Sequence, residues 1–148
     1  NLALNGDGQY LGFLDIADEY SLTNAGNLAN YYAGLCYLHT AQFEGAIEYL
    51  SDFSSDDIIL STLALGCIGD AYLELEDNSS ALKYYEKAAD NASNDFTTPR
   101  YLMKQAIVLE MDEEFEDALK IYNQIKQDYS KSQIAQDIEK YIVRASNR

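Results

Sequence analysis

His39 is the only histidine of the chain, and Cys36 and Cys67 are its only cysteines. These are the side chains that ligate transition metals or act as base and nucleophile near neutral pH. Neither type has a companion at ligand spacing, since no H-x-x-x-H or C-x-x-C occurs. A thiol with no activating partner packs as a small hydrophobe, so both cysteines read as structural, with a disulfide between them as the alternative. Phosphate and acyl chemistry would need a glycine-rich loop with lysine or a nucleophile elbow, and neither motif is present. Gly6-Asp7-Gly8 is a turn-like triplet with no phosphate-binding lysine after it. The densest carboxylates, Asp112-Glu113-Glu114-x-Glu116-Asp117, lack the alternating oxygens and glycine of a calcium loop. They read as a solvated turn whose acids favour the start of a helix. No catalytic, cofactor-binding or metal-binding residue is assigned, and the chain reads as a non-enzyme.

What remains is a surface, and charge says what it repels. The net charge is −15, and all ten Lys and Arg residues lie at or after Lys83. The first 82 residues hold thirteen of the twenty-five acids and no base. Such a surface repels phosphate backbones and anionic lipid headgroups, so no nucleic-acid partner is expected; the acidity either serves solubility or attracts a basic protein or peptide. A hydrophobic fraction of 47% fits a soluble folded protein. The 148 residues suffice for one domain with a continuous core. No run of 18 apolar residues exists, and no basic-then-apolar start resembles a signal peptide. The chain begins at Asn1 rather than Met, which we read as a trimmed fragment.

The elements that would position such a surface recur. Gly34-x2-Tyr37 is followed twelve residues after the glycine by Ala46-x3-Leu50, Gly69-x2-Tyr72 by Ala81-x3-Tyr85, and Ala106-x2-Leu109 by Ala118-x3-Tyr122. A small residue, an apolar one, a second small residue and a bulky one thus return at a period of about 35 residues, the mark of a helical-hairpin repeat. The small residues belong where two antiparallel helices cross, and each hairpin needs its neighbours to cover its apolar face.

The spacing predicts helices near 27–40 and 43–53, then 58–75 and 78–90, then 98–111 and 114–128. Ser21 to Gly26, Ser51 to Asp57 and Asn91 to Thr98 read as connections, and Asn78-Ser79-Ser80 as the cap of the fourth of these helices. A helix over 9–20 would carry Tyr10, Phe13, Leu14 and Ile16 on one face. Its Phe13-x2-Ile16-x3-Tyr20-Ser21 echoes Tyr122-x2-Ile125-x3-Tyr129-Ser130, so it resembles the second helix of an incomplete repeat. Ser130 and Ser132 are expected to cap a last helix, about 132–145, with Ile134, Ile138, Tyr141 and Ile142 as one apolar stripe.

This pattern resembles the tetratricopeptide repeat family, in whose register the repeats fall near 27–60, 62–95 and 99–132. The family's tryptophan is absent, its late proline is missing from each repeat, and the one proline, Pro99, opens the third repeat. The resemblance implies a single all-α domain over 1–148: a right-handed superhelical solenoid of about three hairpins with N-terminal and C-terminal capping helices. It also implies that the first helices line a concave groove through the second, fifth, ninth, twelfth and thirteenth residues of each repeat. Here those are Leu28, Tyr31, Leu35, Leu38 and His39, then Leu63, Gly66, Asp70, Leu73 and Glu74, then Arg100, Met103, Ile107, Glu110 and Met111. Ten of the fifteen are apolar or glycine, and an apolar patch of that size marks a partner site. Tyr31, Leu35, Leu73, Met103 and Ile107 are expected to be partly exposed, with Asp70, Glu74 and Glu110 meeting basic residues of the partner. Some members of the family grip a peptide's terminal carboxylate with a basic and amide clamp. Arg100 and Lys104 match its third-repeat positions, but Tyr31, Leu35 and Cys67 stand where Lys and Asn are needed.

The tail, from Tyr122 through Lys140-Tyr-Ile-x-Arg144-Ala, also resembles tetratricopeptide proteins of the bacterial envelope. That likeness implies the periplasm, an anchoring helix upstream of Asn1, and work in secretion or outer-membrane assembly; a Met directly before Asn1 would place the chain in the cytoplasm instead. The expected function is a non-catalytic protein-interaction module or scaffold. The alternative is a self-associating structural protein whose groove is buried in a homodimer.

Overall fold

A computed structural model describes residues 1–148 and contains helices only. After a short α1 (Leu2–Asn5) come α2 (Phe13–Glu19), α3 (Asn24–His39), α4 (Phe43–Ser51), α5 (Ile58–Glu74), α6 (Asn78–Asn91), α7 (Thr98–Met111), α8 (Phe115–Asp128) and α9 (Ile138–Ser146). A 3-10 turn, Ile134–Asp137, leads into α9. Each helix packs on the next in the chain, so α3–α4, α5–α6 and α7–α8 are the hairpins and α4–α5 and α6–α7 the joints of a solenoid. No helix is long and apolar enough to cross a membrane.

Small residues sit at the crossings, as the spacing requires. A Cβ on Gly34 would lie 2.5 Å from Leu50 Cγ, and one on Gly69 2.6 Å from Tyr85 Cε1. Ala46, Ala81, Ala106 and Ala118 are fully buried. The three hairpin turns share one geometry. Ala41, Glu76 and Glu113 adopt φ of 57°, 61° and 63°. The next amide donates back to the carbonyl five residues earlier: Gln42 to Tyr37, Asp77 to Tyr72 and Glu114 to Leu109. This is the Schellman closure, usually made with glycine at the left-handed position. No glycine marks these turns, so only their spacing was legible.

The ends of the helices correct several expectations. α3 starts at Asn24, because Thr23 accepts the Gly26 amide at 3.2 Å; residues 24–26 are helix rather than connection. α6 is capped by Asp77, whose carboxylate accepts from Ser80 N at 3.0 Å, while the Asn78 side chain reaches Asp112 in the next hairpin. The N-terminal helix begins at Phe13, not at residue 9. Asp7 accepts the Gln9 and Tyr10 amides and holds that stretch as a turn, leaving Tyr10 exposed. At the other end Ser132 Oγ accepts from Ala135 N at 3.2 Å, and one tight turn precedes α9. Ile138 is buried and Ile134, Tyr141 and Ile142 are half-buried against the last hairpin, as the stripe requires.

The core is lopsided. Thirteen buried residues from α6, α7, α8 and α9 form one cluster. Four (Tyr31, Leu50, Ala64 and Ile68) form the cluster joining the first hairpin to the second. Every salt bridge lies at or beyond Asp70. Because solenoid stability is nearly a sum of local terms, amide exchange should be fastest in α2, α3 and α4 and slowest in α6, α7 and α8. Uniform protection along the chain would mean that the hairpins open as one unit.

Candidate functional site

The first helices of three successive hairpins, α3, α5 and α7, frame an open cavity of about 560 Å³. Leu38 comes from α3, Asp70, Leu73 and Glu74 from α5, and Lys104 and Ile107 from α7; Phe43 of α4 and Tyr85 of α6 complete the lining. The periods explain the convergence. Leu38 and Leu73 occupy equivalent places in successive repeats, and so do Asp70 and Ile107. Five of the residues expected in the groove therefore meet at one place.

The remaining positions are divided. Glu110 and Met111 line a neighbouring depression of about 460 Å³ with Ile107, Phe115, Arg144 and Arg148. Leu28 lies elsewhere, beside Leu22, Phe53 and Leu60. Leu35, Leu63 and Met103 are half-buried, while His39 and Arg100 are exposed. Of the five apolar side chains expected to be partly exposed, Ile107 is 36% accessible, and Leu35, Leu73 and Met103 are intermediate. Tyr31 is only 7% accessible. Its ring lies 5.0 Å from that of Phe53 and packs with Ala64 and Ile68, so it belongs to the joint between hairpins. Gly66 corrects the register in the same way: a Cβ there would lie 2.1 Å from Tyr101 Cε1. In the first two repeats the fifth position faces the neighbouring hairpin rather than the groove.

The acids also differ from expectation. Asp70 Oδ1 accepts the Tyr85 hydroxyl at 2.7 Å and pairs with Lys104, whose ammonium lies 5.4 Å from the Tyr85 ring centre. Glu110 is held by both nitrogens of an Arg144 fork. Of the three acids expected to meet a partner's cations, only Glu74 is exposed and free of any salt bridge. Lys104 is likewise engaged and does not present half of a carboxylate clamp. Both pairs span 34 residues, about one repeat. That spacing was the available signal for this ladder, and the absence of a base before Lys83 explains why no such rung reaches the first hairpin.

Burial first, and Asp70 second, push the Cys67 thiol up to about 11. It stays protonated at neutral pH, and both cysteines are free and half-buried. Burial raises the phenols of Tyr85, Tyr101 and Tyr122 well above the ordinary range. The Tyr122 hydroxyl is buried with no hydrogen-bond partner, although the Glu110 carboxylate adds to its upward shift. These side chains hold the hairpins together; Phe43 and Tyr85, on second helices, escaped a reading confined to first-helix positions.

No curated protein matches the chain. A family model described as tetratricopeptide repeat matches residues 100–132, which take in nearly all of α7, all of α8 and the turn beyond.

Proposed function

We propose that this chain, a member of the tetratricopeptide repeat family, is a non-catalytic interaction module that holds a segment of a partner protein on its concave face. The observation that carries this reading is the cavity walled by all three first helices, with Leu38, Leu73 and Ile107 as its apolar surface. An open hollow of this size, apolar with a few polar groups, suits side chains of an extended or helical peptide. The likeness of the tail to envelope proteins supports a place in periplasmic secretion or assembly, which the residues before Asn1 would test.

Peptides selected from a random displayed library on the full chain provide the test. Ile107→Glu puts a charge on a partly exposed wall of the cavity, and a thermal melt checks that the variant is folded. The substitution should weaken selected peptides by at least about tenfold, the scale of a lost apolar anchor. Peptides that bind wild type and Ile107→Glu equally would refute the groove. Light scattering at varied concentration addresses the homodimer reading: a dimer that Ile107→Glu dissociates would replace the peptide groove with a self-association surface.

A further inference from the structure

Resting on the groove reading, we propose that the cavity between Leu38, Leu73 and Ile107 is a subsite for one lysine or arginine side chain of the bound segment, with its cation at Glu74. Three observations support this. The charges already in the cavity are nearly spent, because Lys104 and Asp70 neutralise each other and Tyr85 takes the same carboxylate oxygen. Glu74 is exposed and makes neither a salt bridge nor a side-chain hydrogen bond, so the lining carries one uncompensated negative charge. Glu74 is also the last residue of α5, where the helix's own partial negative charge disfavours a carboxylate. Local stability gives no reason for an acid there; an incoming cation does.

The shape agrees with the charge. Lysine and arginine bury a hydrocarbon stem while keeping the charged head at a wet rim. Leu38, Leu73 and Ile107 supply the wall for the stem, and Glu74 supplies the rim. An acidic side chain would meet the net negative charge. A wholly apolar one would leave Glu74 beside hydrocarbon and without a counter-ion.

The probe is the displayed random peptide library, followed by synthetic copies of the strongest binder with norleucine in place of its basic residue. Selection on wild type should enrich Lys or Arg beside an apolar residue. Norleucine should weaken binding by about two- to fivefold on wild type, the range of an exposed ion pair, and have no effect on Glu74→Gln. Glu74→Lys should reverse the preference toward acidic peptides. Thermal midpoints equal to wild type would show both variants folded. Binders lost in Ile107→Glu but indifferent to norleucine would overturn the cationic subsite and leave the groove standing. A norleucine effect that persists in Glu74→Gln would overturn the role of Glu74. Binders indifferent to Ile107→Glu would overturn the groove, and the subsite with it.

Discussion

Gly69→Glu should lower the thermal midpoint by at least about 10 °C, the shift that a loss of several kcal/mol produces in a chain of this size. Two costs combine. The new Cβ would lie 2.6 Å from Cε1 of Tyr85, a ring only 1% accessible and locked by its hydroxyl on Asp70. The carboxylate would then be buried between two helices, where the cation beside the Tyr85 ring, Lys104, is already paired with Asp70. Gly69→Ala isolates the steric part and should cost less, yet still destabilise. Gly45→Ala is the contrast, because its Cβ would meet the Tyr37 ring at 3.1–3.3 Å. A shift of a few tenths of an ångström, set against the better helix propensity of alanine, should keep that variant within about 1 kcal/mol of wild type. Circular dichroism melts of the three variants provide the check. An unchanged midpoint for Gly69→Glu would place the helix crossing elsewhere.

Alkali should unfold the protein steeply above about pH 10, the ordinary pKa of tyrosine. Tyr85, Tyr101 and Tyr122 are 1%, 3% and 0% accessible, and burial raises the pKa of each in the folded state. A raised folded-state pKa contributes stability that is complete below the unfolded value and is lost as pH rises above it. Between the two values the unfolded chain has released three phenol protons that the native state keeps, and below about pH 11 the Cys67 proton as well. The three phenols alone should therefore lower stability by about 4 kcal/mol per pH unit in that window. Tyrosinate absorbance and helicity should change together in one cooperative step. Tyr122→Phe removes a buried hydroxyl with no hydrogen-bond partner, so it should cost little at neutral pH and reduce the alkaline slope by about a third. Gradual ionisation near pH 10 with helicity intact would contradict this account.

The repeat was legible because its signal is steric and local. Gly34, Gly69 and Ala106 each stand sixteen residues before the bulky Leu50, Tyr85 and Tyr122, and in the two glycine hairpins that bulky side chain lies directly against the glycine. The stripe of Ile134, Ile138, Tyr141 and Ile142 was legible for the same reason, since a period of 3.6 puts those positions on one face whatever they pack against. Helix starts were less legible: several oxygens stood within reach of each first turn, and Thr23 and Asp77 proved to be the caps.

The sequence by itself determined the all-helical class, the three hairpins and a first half with no cation to offer. These follow from residue type and spacing along one chain. Tertiary structure decided which candidate side chains remain available. Stacking turned Tyr31 and Gly66 into the joints, because the angle between successive hairpins sets which face of a first helix meets its neighbour. It brought Asp70 to Lys104 and Glu110 to Arg144 across about one repeat, so charges that look free in the sequence are already matched. Glu74 was left exposed at the end of α5, with no base of the chain paired to it.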